Sequence, residues 1–466
     1  MLFSSIPFLY YFLPVVLILY LITPKRFKNL TLLIASLFFY GWGEPKYVFL
    51  MLATIVCGYF IGLLIEKFRG GAWSKFFVIL ATVLFLGALG VFKYADFFIE
   101  NFSRATGISV KTLGIALPIG ISFYTFQILS YTIDVYRGDV RAQRNFISLA
   151  AYITMFPQLI AGPIVRYSDI ETSLTERRHS FRMTAHGLRL FILGLAKKVL
   201  IANVLGELIE VFRQTGEKTV LFYWVYAVAL CLHIYFDFSG YSDMARGLGK
   251  FFGFDFMENF NYPFISKSIT EFWRRWHISL GTWFRDYVYI PLGGNRCGKG
   301  KHLFNILIVW MLTGFWHGAE WNFILWGLYF AILLAGEKFI WGRAISKSSV
   351  LSRIYVIFLT IISFIIFDST ELSDIVVKTG GLFGAGGEAL SSVHTLYYLK
   401  SYALILAIAL FGATPIPKIL AKKALETRVG KAVLSVAEPI LLAVLLIVIT
   451  AYLVDGSFNP FLYFRF

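Results

Sequence analysis

Charged residues are scarce in this chain, and their scarcity excludes a soluble globular protein. Asp, Glu, Lys and Arg make up only 15% of the 466 residues, whereas 58% are hydrophobic; soluble domains carry about 25% charged residues. Apolar runs of about 18 to 25 residues, the length that crosses a bilayer as a helix, recur from end to end. The runs are continuous rather than alternating, which excludes a β-barrel. The sequence therefore predicts an all-α polytopic membrane protein.

Cysteine and acidic residues are also few. Cys57 and Cys231 lie in apolar runs and Cys297 lies in a basic loop, which supports neither a disulfide framework nor a zinc site. The 43 Lys and Arg exceed the 27 Asp and Glu, but they fall in short loops between apolar runs. This is the positive-inside pattern of membrane proteins, so the excess of basic residues does not indicate a nucleic-acid partner, and we expect none. We also expect no metal. No internal repeat is visible, which gives an inverted-repeat transporter no support.

The basic loops predict how the chain is oriented. The first apolar run, 7–23, lacks a basic start and a cleavage site, so we interpret it as a retained span. The basic segment 266–302 is placed in the cytoplasm with the other basic loops. Both termini then face outward, in a multi-pass protein of the plasma membrane. We expect one transmembrane domain, 1–466, that ends in an extracellular aromatic tail, 455–466.

The stretch TGFWHGAEWNF (313–323) places His317 in one of the most apolar parts of the chain. Residues 303–340 must enter the membrane and return, and His317 lies at the turn, roughly 20 Å from the basic loop. One interpretation is a histidine that hydrogen-bonds a neighbouring helix. The other is a general base that takes a proton from a hydroxyl attacking a thioester. Ionisable groups at this depth are costly, which favours a functional role.

Polar neighbours turn the surroundings of His317 into a polar island. The expected supporting residues are Trp316, Glu320 and Asn322. Glu320 has two open interpretations, an orienting partner or a member of a buried ion pair. Farther back, Asp237 is four positions after His233, and the two could share a metal. No third ligand is nearby in the sequence, so we expect Asp237 to pair with a Lys or Arg of the buried helices.

The segment 266–302 predicts an amphipathic helix at the cytoplasmic interface. Ser268 and Glu271 have the spacing of a capping box. Aromatic and apolar residues recur at helical spacing on one face; they are Trp273, Trp276, Leu280, Trp283, Phe284 and Tyr287. His277 shares this face, so its side chain is predicted to point inward. It either snorkels toward the interface or forms a pair with His317, in which one imidazole acts as base and the other orients a substrate or stabilises an oxyanion.

The tail NPFLYFRF ends the chain beyond the last apolar run. Its aromatic residues are typical of an anchor at the membrane interface. The alternative is that the Tyr463 hydroxyl, on a short outer peptide, receives an acyl group and passes it outward.

Together these segments resemble the membrane-bound O-acyltransferase (MBOAT) family, in the bacterial branch typified by alginate O-acetylation. The resemblance covers nearly the whole chain. Its strongest motifs are LPIGISFYTFQ (117–127), FPQLIAGPIVRY (156–167), YFDFSGYSDMA (235–245), FWRRWHISLGTWFRDYVYIPLGG (272–294) and LTGFWHGAEWNFILWG (312–327).

The resemblance implies about eleven transmembrane helices, with re-entrant and interfacial helices, around a central tunnel. The family's near-universal histidine corresponds to His317, and a second family position corresponds to His277. Tyr463 corresponds to an acyl-relaying tyrosine of bacterial cell-wall acylation systems. In this branch a separate extracellular SGNH-type acetyltransferase completes the transfer.

The sequence thus predicts an O-acetyltransferase that moves acetyl groups from a cytosolic thioester to an extracellular or cell-wall polysaccharide. The expected donor is acetyl-CoA or another acyl thioester, and no bound cofactor is expected. Three alternatives stay open. They are D-alanyl transfer to teichoic acid from a carrier-protein thioester, a proton-coupled transporter that uses His317 and Asp237 as a relay, and a non-catalytic scaffold for glycan export.

Overall fold

The described part of the chain is helical and contains no strand. The computed structural model describes residues 1–159 and 162–456. The α-helices are α1 Leu13–Ile22, α2 Lys28–Gly43, α3 Tyr47–Lys67, α4 Ala72–Thr106, α5 Ile121–Arg137, α6 Phe146–Thr154, α7 Phe156–Leu159, α8 Tyr167–Thr175, α9 Phe181–Ala196, α10 Asn203–Gln214, α11 Val220–Phe251, α12 Ile269–Arg275, α13 Ile278–Phe284, α14 Lys299–His317, α15 Trp321–Gly336, α16 Gly342–Ile345, α17 Ser349–Asp368, α18 Leu372–Gly381, α19 Val393–Gly412, α20 Ile416–Glu426 and α21 Arg428–Asp455. Short π-helical segments occur at Pro7–Phe12, Lys197–Ala202, Arg285–Tyr289 and Glu337–Trp341, and 3₁₀ turns at Lys25–Phe27 and Pro263–Ile265. The predicted all-α class is confirmed.

Seven helices in the described ranges are long and apolar enough to cross a membrane, so the chain is a multi-pass membrane protein. They are Tyr47–Lys67, Ala72–Thr106, Val220–Phe251, Trp321–Ile345, Ser349–Asp368, Val393–Gly412 and Arg428–Asp455. This number is smaller than the eleven spans that the family resemblance implies, because several apolar runs form shorter or interrupted helices. The first run, for example, forms the sixteen-residue helix Pro7–Ile22, whose first part is π-helical.

The helices form two compact units. The first unit comprises Met1–Phe191 with Ser242–Met257, and the second comprises Ile192–Tyr241 with Glu258–Phe466. The core of the second unit is built around residues 222–236 of α11, which pack with buried side chains of α10, α15, α17 and α19. Every predicted site residue that the structure describes belongs to this second unit.

The predicted amphipathic helix of segment 266–302 is wrong in one respect, because it is two short helices rather than one. Ser268 caps α12 as expected, and its Oγ accepts a hydrogen bond from the Glu271 N–H at 2.9 Å. The Glu271 carboxylate instead accepts from the Lys267 N–H, at 2.9 Å. The chain then leaves the helical path at Trp276 and His277, and α13 begins at Ile278. Sequence periodicity does not register such a break, because the apolar spacing continues across it.

Candidate active site

His317 is the last residue of α14, at the apex of a helical hairpin that α15 completes. The two helices cross at Gly314 and Gly327, where neither position has room for a side chain. A Cβ at Gly314 would lie 2.3 Å from the Phe323 carbonyl oxygen, and one at Gly327 would lie 2.5 Å from the Trp310 carbonyl oxygen. Small residues permit such close backbone approach between membrane helices. The hairpin predicted for residues 303–340 is therefore present and tightly closed.

Aromatic rings enclose His317, which is 7% exposed. Its ring lies edge-on to Trp326 at 5.1 Å and to Phe367 at 5.3 Å, and Trp316 lies 5.0 Å away. Trp326 contacts Trp273 of α12, at 5.4 Å between ring centroids. The indole N–H groups of Trp273 and Trp326 are buried without a hydrogen-bond acceptor in the described ranges. Donors of this kind are available to a substrate oxygen.

His277 lies at the break between α12 and α13 and is 1% exposed, so the predicted inward orientation is confirmed. Its φ of 43° places it in the left-handed region, which a non-glycine residue rarely adopts. The ring stands edge-on to Phe238 at 4.7 Å and lies 6.0 Å from Trp316. Because Trp316 also contacts His317, the structure brings the two histidines to the same indole.

Asn259 holds one nitrogen of His277. The Asn259 Oδ1 is 3.3 Å from His277 Nδ1, and it also accepts hydrogen bonds from the Ser279 N–H at 3.0 Å and from the Ser279 Oγ at 2.9 Å. Burial lowers the pKa of His277 to about 3, because a cation is poorly solvated there. The imidazole is therefore neutral at physiological pH.

Asp237 forms the ion pair expected from the sequence. Its Oδ1 lies 2.5 Å from Lys198 Nζ, and the two side chains are 1% and 2% exposed. Lys198 belongs to the π-helical segment Lys197–Ala202, and the Ala202 carbonyl at the end of this segment is 2.7 Å from His233 Nδ1. Both groups considered as a metal pair are thus engaged elsewhere, with Asp237 bound by a cation and His233 by a carbonyl.

Of the remaining predicted residues, the structure describes Asn322 and Glu320 and places them in different surroundings. Asn322 is buried and donates from Nδ2 to the Phe367 carbonyl at 3.1 Å, which joins the hairpin to the end of α17. Glu320 is exposed at the position that precedes α15, so its interpretation as part of a buried ion pair is wrong. A carboxylate at this place is favoured by the partial positive charge of the helix N-terminus. Tyr463 and most of the predicted tail lie outside the described residues.

Three residues of this site were not identified from the sequence. Asn259 lies in an extended stretch before α12, Trp326 lies on the second helix of the hairpin, and Lys198 lies in a π-helical segment. Only Trp326 carried a sequence signal, since it is nine positions after His317 and a hairpin of this length brings the two helices back together.

Two buried imidazoles thus lie against one indole inside a multi-pass helical membrane protein. Residues 139–367 match the model of the MBOAT, membrane-bound O-acyltransferase family, and Asn259, His277 and His317 all lie within the match. Relatives similar over the full length support the same assignment. The chain belongs to the membrane-bound O-acyltransferase family and is an acyltransferase.

The similar proteins of named activity act on different polymers. A protein named probable alginate O-acetylase, from Azotobacter vinelandii, is 40% identical, with 100% of both chains covered. A peptidoglycan O-acetyltransferase from Helicobacter pylori is 36% identical, with 72% of this chain and 70% of the relative covered. A teichoic acid D-alanyltransferase from Bacillus subtilis is 30% identical, but the match covers only 47% of this chain and 59% of the relative.

Proposed function

We propose that the protein transfers acetyl groups from a cytosolic thioester, acetyl-CoA, toward an extracellular or cell-wall polysaccharide. The observation that carries the proposal is the pair His277 and His317, which are both buried and whose rings lie 6.0 and 5.0 Å from that of Trp316. The similarity to O-acetylating relatives, over the whole chain in one case and 72% of it in the other, supports acetyl as the group. The plasma membrane is the proposed location, with both termini outside.

In the proposed reaction, an imidazole nitrogen of His317 takes the proton of the acceptor hydroxyl as its oxygen attacks the thioester carbon. The carbon–sulfur bond breaks, and the proton passes to the departing thiolate, so the free thiol and the O-ester are formed without net proton release. The buried indole N–H of Trp326 is a candidate donor to the carbonyl oxygen as negative charge develops there.

Placing the base between the two membrane faces explains how the acetyl group could cross without its carrier. CoA is charged and cannot pass about 30 Å of hydrocarbon. The 19 residues of α14 begin at Lys299 beside a basic loop, and at 1.5 Å per residue they span about 28 Å. The proposed acceptor of the acetyl group on the outer side is the Tyr463 hydroxyl or another hydroxyl. A separate extracellular SGNH-type acetyltransferase is proposed to complete the transfer.

D-alanyl transfer to teichoic acid is the second candidate, and the similarity to the Bacillus subtilis protein supports it. That similarity covers 47% of this chain, whereas the two acetylating relatives cover 100% and 72% of it. The two candidate functions are distinguished by which acyl thioester the protein uses as donor. Purified protein in lipid nanodiscs is offered radiolabelled acetyl-CoA or a D-alanyl carrier-protein thioester, and the label retained on the protein and the thiol released are measured.

The test of mechanism is His317→Ala, with His394→Ala as the matched control. His394 is a histidine of the same chain whose side chain is 75% exposed. We expect His317→Ala to lose about 10² to 10⁴ in the rate of thiol release, while its amount in the membrane and its melting temperature stay close to those of the parent. Normal thiol release by this variant would contradict both the base and the proposed reaction.

A further inference from the structure

We propose that Asn259 is a positioning residue that holds His277 with its proton on Nδ1, so that Nε2 offers a lone pair to the substrate. The proposal rests on the acyl transfer proposed above. It assigns His277 the task of accepting a hydrogen bond from an O–H or N–H group of a substrate. It excludes the alternative in which Nε2 donates to an oxyanion.

The orientation of the Asn259 amide is fixed by a backbone group. The Ser279 N–H can only donate, so the atom 3.0 Å from it must be the amide oxygen, Oδ1. The Ser279 hydroxyl lies 2.9 Å from the same oxygen. The Ser279 hydroxyl also lies 3.5 Å from His277 Nδ1, but its shorter contact with Oδ1 takes its single proton. Since an amide oxygen can only accept, Nδ1, 3.3 Å from Oδ1, is assigned as the donor. A neutral imidazole that donates from Nδ1 has no proton on Nε2.

The backbone holds this arrangement in place. The Ile278 N–H donates to the Asn259 carbonyl at 3.0 Å, and the Asn261 N–H donates to the Arg275 carbonyl at 2.9 Å. These two bonds join the extended stretch that contains Asn259 to the break that contains His277. The left-handed conformation of His277 is thus maintained by its surroundings, as is typical of residues held in strained conformations at functional sites.

The second nitrogen of His277 has no hydrogen-bond partner anywhere in the described ranges. Nε2 is buried, and a buried acceptor left without a donor is destabilising. A substrate O–H or N–H would supply that donor. The rings of Phe238 and Trp316 pack against the imidazole, and Trp316 also contacts His317.

The charges around His277 leave it neutral. On α11, Asp237 is paired with Lys198, and on α12, Arg275 is paired with Glu271 at 2.9 Å. Arg274 and Glu258 are exposed, and His317 of α14 lies beyond Trp316. Burial is the cause of the low pKa of His277, so its lone pair remains available throughout the physiological range.

The first test measures the tautomer directly. Solid-state NMR of the full-length protein in lipid, with ¹⁵N-labelled histidine and with His277→Gln to assign the signal, reports which ring nitrogen carries the proton. We expect a protonated Nδ1 and a bare Nε2 that persist down to about pH 5. A proton on Nε2 in the parent protein would overturn the proposal.

The second test uses two variants of Asn259 and one control. Asn259→Asp keeps the acceptor and adds a negative charge beside Nδ1, which raises the pKa of His277 by about 1–3 units. The acid limb of its pH–rate profile should therefore move upward, and activity should return as the pH rises. Asn259→Leu removes the acceptor, and we expect its kcat to fall at least about tenfold at every pH; loss of tautomer control costs as much as about 10⁴ elsewhere. Thr282→Ala is the control: it removes a hydroxyl of α13 that donates to the Ile278 carbonyl at 2.7 Å, and its kcat should stay within about threefold of the parent.

A purely structural role for Asn259 would lower the yield of folded protein without moving the acid limb. An unshifted profile in Asn259→Asp, together with a normal kcat in Asn259→Leu, would refute the positioning role and leave the proposed acyl transfer intact. Failure of that proposed function has its own signature, which is normal thiol release by His317→Ala.

Discussion

Replacing one partner of the buried ion pair between Lys198 and Asp237 should destabilise the protein far more than replacing both partners. The charges lie 2.5 Å apart and their side chains are at most 2% exposed, so solvent cannot compensate either one. Asp237→Asn leaves the buried ammonium without its carboxylate, and Lys198→Met leaves the buried carboxylate without its ammonium; each should cost about 3–5 kcal/mol. The double variant Lys198→Met/Asp237→Leu leaves no charge and should stay within about 1 kcal/mol of the parent.

Cys231 can report the unfolding of the parent and of these three variants, because it lies on α11 and is 5% exposed. With Cys57 and Cys297 replaced by Ala, thermal unfolding in nanodiscs can be followed through the reaction of Cys231 with a thiol-reactive fluorophore. The melting temperature should fall in both single variants and recover in the double variant. A double variant as unstable as the singles would refute the reasoning. A stable but inactive double variant would show that one of the two charges also serves the reaction.

The other predictions concern the hairpin and its surroundings. Gly327→Ala should lower the melting temperature by opening the crossing, at a cost of about 1–3 kcal/mol, whereas Gly87→Ala, with nothing within 4 Å of the added Cβ, should not. Trp326→Phe deletes a buried N–H next to His317 and should reduce kcat about 10- to 100-fold; Trp310→Phe is its control, and an equal loss in both would indicate packing instead. Arg213→Met removes the 2.6 Å pair with the end of α17 and should lower the melting temperature less at high salt than at low salt, since a partly exposed pair is screened.

The features of this protein that follow from local pattern could be predicted from the sequence. Apolar runs indicated the membrane, basic loops indicated a hairpin, and helical spacing indicated that His277 points inward. The need of a buried carboxylate for a cation indicated an ion pair for Asp237. In each case the relevant physical cost, an unsolvated charge or an exposed apolar face, can be assessed without knowing the neighbours.

The features that depend on backbone irregularity could not be predicted. Lys198 reaches Asp237 from a π-helical segment, and His277 takes its conformation at a break that the apolar spacing conceals. Asn259 acts from an extended stretch whose partner segment is fixed only by tertiary hydrogen bonds. Of the two interpretations of Glu320, only the buried ion pair is contradicted, because its side chain is exposed although it lies three positions from a buried histidine; its role as an orienting partner stays a prediction.

The left-handed conformation of His277 has a consequence for protein engineering. Histidine bears a strain of about 1–3 kcal/mol in that conformation, which glycine would avoid and asparagine would bear more easily. Selection for heat resistance alone would therefore tend to replace His277, and under the proposed mechanism the variants obtained would be stable and inactive. Conversely, a library that excludes position 277 from mutation retains a residue whose strained conformation costs stability and serves the proposed chemistry.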